Sequence, residues 1–377
     1  MSSSHNLSYW EQQSYIGDPD YLIVGAGIVG MITALEIHKA SPSANVLVVD
    51  KSVVGSGASS RNAGFACIGS LGEIIHDCSF LGESQTIETI SKRYNGLQRL
   101  VQLCQDFDIG YKPSGGYEVL RTKEEFIRVA DCLTEWNDKL SDLTGYKKTF
   151  TIGTNTDHND FWNKGIVNHA EGLLDTGKLN VCLESLLNEA GIRVIKGLTL
   201  ADYKDNSDVV VVSFSQLNQE IRTEKLVLCT NAFTKELIPR IDLEPCRNQV
   251  LVTSKVDAKH LTMGYHMSQG YIYFREVHGR VLIGGARHLF PEENNTIQFE
   301  LNDANSAYLL ELLRDSIIPN QDFTIDYHWS GILCGGTARQ PIVKSLSQNV
   351  FMGVRLGGMG VAIGSMIATE LAQLVQS

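Results

Sequence analysis

Apolar positions along the chain fall into two kinds of block. Short β-branched runs read as strands buried on both faces: Tyr21 to Val24, Val46 to Val49, Ile192 to Ile195, Val209 to Phe214 and Val350 to Val354. Longer stretches with apolar residues three and four apart read as helices. The first runs from about Ile28 to Lys39 and stops near Pro42. A second spans 72 to 108, with Leu97, Leu100, Val101, Cys104 and Phe107 on one face, and a charged one follows near 124 to 140. Asp175 or Thr176 can cap a helix carrying Leu179, Cys182, Leu183, Leu186 and Leu187, which Gly191 ends. The last helix is Val361 to Val375. Between these, Pro113, Gly115 and Gly116 give a turn into a strand, Tyr117 to Arg121. The run 270–288 reads as a hairpin: a strand with Tyr271, Tyr273 and Arg275, a turn at His278-Gly279, then Val281 to Gly285.

The first strand–helix–strand unit carries chemistry. Gly25, Gly27 and Gly30 form G-x-G-x-x-G between Val24 and the helix that begins with Ile28 and Val29. Such glycines permit a tight turn, close approach of backbone to a pyrophosphate, and close packing of helix on sheet. The helix start offers N–H groups and a positive dipole end to phosphate. Asp50 ends the second strand at the spacing expected of a carboxylate that grips ribose hydroxyls, and an acid there disfavours a 2′-phosphate. Lys51 follows it, and then a loop rich in small residues, Gly57, Ala58, Ser59, Ser60, Arg61, Asn62, Ala63 and Gly64, suited to run beside a flat ligand. This fixes an adenine dinucleotide without separating FAD from NAD. The separation comes from the other end, where Gly357, Gly358, Met359, Gly360 and Val361 open the last helix. A second helix start aimed at a flavin stabilises the negative charge that reduction brings, and a NAD enzyme built on one such unit has no use for it.

Composition narrows the class. With 377 residues, 43% hydrophobic and 20% charged, the chain can build two domains with sizeable cores. A net charge of -11 argues against nucleic acid or an anionic membrane as partner. Eight cysteines occur with no CxxC pair, which disfavours a metal cluster and suits a reducing, cytoplasmic compartment. No metal site is expected; His158 and Asp160 sit in a polar loop without further ligands at suitable spacing. No uncharged apolar run is long enough to span a membrane.

The segment GSGASSRNAG resembles the second flavin loop of the FAD-dependent D-amino-acid oxidase superfamily. The likeness is closer to its amine-oxidising branch: glycine and sarcosine oxidases, D-amino-acid dehydrogenases and, nearest, the gamma-glutamylputrescine oxidase type. It extends from Ser8 to Val375. It implies FAD, with Ser59 to Gly64 between pyrophosphate and flavin ring, Leu200 beside adenine, and Thr230 and Asn231 at a pyrophosphate turn where the family usually has Gly. It implies a substrate cavity lined by Tyr271 and Tyr273. Arg275 or Arg287 can bind a carboxylate, or read as ordinary ion pairs. His266, His278, His288 and His328 are candidate bases, or structural histidines. In WSGILCGGTARQP, Leu333 stands where amino-acid-specific members place a carboxylate-binding Arg, which favours an amine or N-substituted amino acid. Cys334 falls near the cysteine that holds flavin covalently in sarcosine oxidases. Oxidase members use a Lys near the flavin for O₂, where this chain offers Arg287.

The expected fold is α/β: a Rossmann-type FAD/NAD(P)-binding domain from 18–85, 165–240 and 331–377. A β-rich α+β substrate domain would come from 86–164 and 241–330, and 1–17 would form an N-terminal arm or a loose tail. The expected function is oxidation of a C–N bond to an imine by hydride transfer to flavin N5. The alternatives are a D-amino-acid dehydrogenase passing electrons to a partner, and a flavin-binding subunit without turnover.

Overall fold

Tyr21–Val24 pairs in parallel with Val46–Asp50 on one side and Lys225–Leu228 on the other. These strands sit at the centre of a six-stranded sheet in a computed structural model that describes residues 4–153 and 164–377. His158 and Asp160 lie outside the described residues. The sheet order is Ile342–Ser345, Val350–Val354, Lys225–Leu228, Tyr21–Val24, Val46–Asp50, Arg193–Lys196, and every pair but the first is parallel. The inner strands are apolar on both faces because helices cover one side and a three-stranded sheet, from Leu200–Asp205, Val210–Phe214 and Ile221–Thr223, packs on the other.

The second sheet has eight strands, in the order Ile325–Gly335, Glu244–Thr253, Arg280–Gly285, Ile272–Val277, Gly264–Met267, Gly116–Val119, Gly165–Asn168, Phe150–Gly153. Its longest member, Ile325–Gly335, pairs along the whole of Glu244–Thr253. The far end of that strand leaves the substrate sheet's own core: Ile332 and Cys334 pack with Leu243 and Val354 in the nucleotide half. No helix among the described residues is long and apolar enough to cross a membrane.

Four features differ from the sequence expectation. The helical stretch 72–108 is two helices, Leu71–Leu81 and Glu83–Leu103, broken at Gly82 with φ 76°. Glu83–Leu103, expected in the substrate domain, packs instead on the last helix, Gly360–Gln376. Its predicted stripe of Leu97, Leu100 and Cys104 lies in the same core as Ile363 and Leu371. Gly165–Asn168, expected in the nucleotide domain, is a strand of the large sheet, paired with Gly116–Val119 and Phe150–Gly153. An amphipathic stripe gives a buried face but not the identity of the surface it meets. The charged helix near 124–140 is likewise two pieces, Lys123–Ala130 and Leu133–Thr144. The N-terminal segment crosses the nucleotide half: Ile16 is buried, His5 bridges to Leu217, and the Leu7 N–H donates to Gln219.

Candidate active site

One cavity of about 990 Å³ runs between the two sheets. At one end the glycine turn closes as its spacing predicts. Gly25 has φ 112°, and a Cβ on Gly30 would stand 1.9 Å from the Gly25 carbonyl oxygen, so the helix lies against the turn without room for a side chain. Gly25, Gly27, Ile28 and Val29 line the cavity, while Gly30 serves the packing behind it. The Asp50 carboxylate accepts from the Ala26 N–H (2.8 Å) and from the Ser52 N–H (2.8 Å), which fixes it beside the turn. Lys51 lies over the Phe233 ring with Nζ 3.0 Å from the centroid, and burial lowers its pKa. Leu200 lines this end together with Leu198, Thr199 and Ala201.

The small-residue loop is tied into both halves. Ser59 Oγ accepts from the Ile28 N–H at 3.0 Å, so the loop caps the first helix. Asn62 Oδ1 accepts from the Gly64 N–H (2.9 Å) and from Thr176 Oγ1 (2.9 Å). Arg61 donates to the Ser330 carbonyl (2.8 Å), and Trp329 Nε1 donates to the Arg61 carbonyl (3.0 Å), which fastens the loop to the long strand. Gly57, Ala58, Ser59, Arg61, Asn62 and Ala63 face the cavity, whereas Ser60 and Gly64 do not.

Opposite, Gly357 through Val361 line the cavity at the start of the helix Gly360–Gln376. Gly357 and Gly358 have positive φ (61° and 89°), and a Cβ on Gly358 would approach only Leu333, 3.9 Å away. Thr230 and Asn231 also line it, and Asn231 adopts φ 46°, the conformation that the residue type tolerates. Asn231 Oδ1 accepts from the Arg355 N–H (3.2 Å). Arg355 in turn donates to the Gln340 carbonyl and to Asp242. Arg355 and Asp242 brace this corner, and nothing in the sequence singles them out.

Two walls enclose the other end of the cavity. On the first, Arg93 pairs with Glu73 (3.0 Å) and lies 3.8 Å from Asp77, and Asp77 pairs with Arg339 (2.7 Å). Behind it Glu171 accepts from the N–H groups of Ile68 (3.0 Å) and Gly69 (2.9 Å), and its other oxygen meets His266 Nε2 at 3.2 Å. Burial would lower His266; Glu171 outweighs it and raises the pKa. Burial pushes the Cys67 thiol well up, with Glu171 and Glu73 adding to it.

The second wall is different. Arg287 lies over the Tyr271 ring at 4.8 Å, and His288 sits 4.7 Å from the same ring. Asn248 Nδ2 donates to the Tyr273 hydroxyl (3.0 Å), which burial pushes up to about 12. Asn248 Oδ1 and His288 Nδ1 are buried without a partner among the described residues. Burial, then Arg287, lowers His288. Of the arginines lining the cavity, Arg93, Arg339 and Arg355 hold carboxylates and Arg61 holds a carbonyl. Arg287 has neither: the thiol of Cys246 is its polar neighbour.

Arg275 departs from expectation. Its guanidinium donates to the carbonyls of Gly64 (2.9 Å) and Leu174 (2.8 Å) and lies outside the cavity lining, because its strand turns that side chain toward the small-residue loop. His278 occupies the hairpin turn at φ 50°, and His328 sits 3.4 Å from Ser306, so neither faces the cavity. Cys334 borders the cavity with its thiol in an apolar cluster, and burial pushes it up to about 12.

The family model for FAD dependent oxidoreductases (DAO) matches residues 20–374. The chain belongs to this family. Its cofactor is FAD, and the cavity fits it, with an open glycine backbone at two helix starts and Asp50 beside the first. Solved structures share this DAO fold. L-proline dehydrogenase from P. horikoshii aligns at TM-score 0.75 with 14% identity, covering 96% of this chain and 94% of that one. Glycine oxidase from Geobacillus kaustophilus aligns at 0.75 with 18% identity over 95% and 94%. Iminodiacetate oxidase from Chelativorans sp. BNC1 aligns at 0.74 with 16% identity over 94% and 95%. No curated protein matches the chain.

Proposed function

We propose that this FAD-dependent oxidoreductase oxidises the C–N bond of an amine or N-substituted amino acid to an imine, and that its substrate carries a carboxylate. The observation that supports the carboxylate is Arg287, the one cavity arginine among the described residues without a carboxylate or carbonyl acceptor. A cation held over Tyr271 with no counter-charge suits a bidentate anion. Leu333 is the register partner of Cys246, and Arg287 is that thiol's neighbour. From the short turn Arg287–Leu289 after the strand Arg280–Gly285, the guanidinium thus lies beside the residue paired with Leu333, the position where resemblance puts the family's arginine. The opposite wall pairs its own acids with Arg93 and Arg339, which argues against a second ammonium there.

Bound FAD supplies the two-electron acceptor for the hydride. The protein's part is positional. Arg287 anchors the carboxylate, Tyr271 and Tyr273 close the cavity around the donor carbon, and Asn248 Oδ1 offers an acceptor to the substrate N–H. Two helix starts and the loop through Asn62 hold the dinucleotide. FAD is held without a covalent bond, since the Cys334 thiol packs among apolar side chains; colour left in the pellet after acid precipitation would contradict this. Eight free cysteines suit a cytoplasmic setting.

The test is anaerobic mixing of the yellow protein with N-methyl amino acids, D-amino acids, polyamines and simple amines. Bleaching of the flavin band by carboxylated amines is expected. Bleaching by polyamines alone would overturn the carboxylate, and no bleaching by any of them would favour a flavin-binding subunit. A D-amino-acid dehydrogenase with another acceptor is the second reading. Among the described residues the only lysine lining the cavity is Lys51, at the adenine end. Turnover in air without peroxide would favour it.

A further inference from the structure

Cys67, Glu171 and His266 are far apart in sequence and meet in the cavity wall. The cysteine sulfur, a carboxylate oxygen and a ring nitrogen all lie within 4.8 Å of one another. Cys67 and His266 face the cavity, and Glu171 lies behind them. We propose that these three side chains bind one divalent ion of the zinc class, with a fourth position open to the cavity.

The donor set suits such an ion. Thiolate, imidazole and carboxylate are the three zinc ligands, and three protein ligands with one open position is the pattern of reactive rather than structural zinc. The donors are also held in place. One Glu171 oxygen is fixed by the N–H groups of Ile68 and Gly69, which leaves the other turned to His266. A Cβ on Gly116 would fall 2.0 Å from that second oxygen, so a glycine makes room for it. The Phe65 ring meets the His266 ring edge-on at 5.1 Å and orients it. Backbone and ring support of this kind is what tunes metal ligands.

Charge points the same way. Glu171, Glu73 and Glu118 all act on His266, while the guanidiniums of this wall are engaged elsewhere, Arg93 by Glu73 and Arg339 by Asp77. Glu171 is buried with His266 beside its second oxygen, and a dication held by both would supply that carboxylate's counter-charge. An ion would also take the proton from the Cys67 thiol, as coordination does. The Met359 sulfur, 3.9 Å from Cys67, adds a second soft atom beside the start of the last helix. Zinc ligands about 2.0–2.3 Å from one centre stand roughly 3.3–3.7 Å apart; His266 and Glu171 are already 3.2 Å apart, so binding mainly draws the Cys67 sulfur toward them.

This inference stands apart from the substrate reading, because it is read by metal and not by turnover. FAD-loaded protein is titrated with Co²⁺ and followed at wavelengths beyond flavin absorption. One equivalent should produce the long-wavelength band of tetrahedral, sulfur-bound cobalt, and Zn²⁺ should abolish it. Cys67→Ser, His266→Gln and Glu171→Gln should each weaken binding by at least about tenfold, judged on whichever variants still load FAD. Absence of the band in the wild type, or an undiminished band in the variants that load FAD, overturns the proposal.

Discussion

Gly96 and Ala362 hold two helices at backbone distance. A Cβ on Gly96 would stand 2.2 Å from the Ala362 carbonyl oxygen, and Ser365 Oγ donates to the Gly96 carbonyl at 2.6 Å. This contact seats the helix Gly360–Gln376, whose first turn lines the cofactor cavity. Gly96→Ala should cost about 1–3 kcal/mol by overpacking. It should also weaken FAD binding, since the helix must move to admit the methyl group. Thermal unfolding and FAD titration would check both, and unchanged FAD affinity would separate the helix seat from the cofactor.

Arg287 and Arg275 stand close in sequence and should behave oppositely. With Arg287 in the proposed role, Arg287→Met removes a charged hydrogen bond to the substrate carboxylate, worth about 1.5–3 kcal/mol. KM for carboxylated amines should then rise by about tenfold to hundredfold, with thermal stability unchanged. Steady-state kinetics on matched substrates with and without the carboxylate would read this.

Arg275→Met leaves the carbonyls of Gly64 and Leu174 without their donor. A loss of about 3 kcal/mol is expected, along with weaker FAD retention, because Gly64 ends the flavin loop. Denaturant unfolding measures the first and gel filtration of the yellow protein the second.

Asp242 should set an acid limit. It accepts from the Thr337 N–H and hydroxyl, the Ala338 N–H and Arg355, and these hold its pKa down from 3.8 to about 2. A carboxyl lower in the folded than the unfolded state stabilises above the unfolded value. That contribution is lost as pH falls through the folded one. Asp242→Asn should therefore melt lower than wild type at neutral pH, and the gap should close between pH 3.8 and about 2. A gap independent of pH would show that the hydrogen bonds of the neutral side chain suffice.

Much of the nucleotide half is legible in the sequence, because a glycine turn and its strands are local. Gly25 to Asp50 specify their geometry within one short unit, and Asn231 carries the positive φ its residue type permits. The substrate half is less so. Arg275 and Arg287 look equivalent along the chain, and only the sheet shows that one is turned onto carbonyls and the other left unmatched. Cys67, Glu171 and His266 have no spacing that joins them; strand order brings them together. The stripe on Glu83–Leu103 predicts a buried face, but its partner is a helix 269 residues further along at the Gly96–Ser365 contact.

The long strand Ile325–Gly335 begins in one half of the molecule and ends in the core of the other. A continuous ladder of backbone hydrogen bonds across that junction acts as a girder. The halves therefore cannot swing apart as rigid lobes without breaking that ladder, which leaves side chains of the wall, such as the Arg339–Asp77 pair, as the parts free to move.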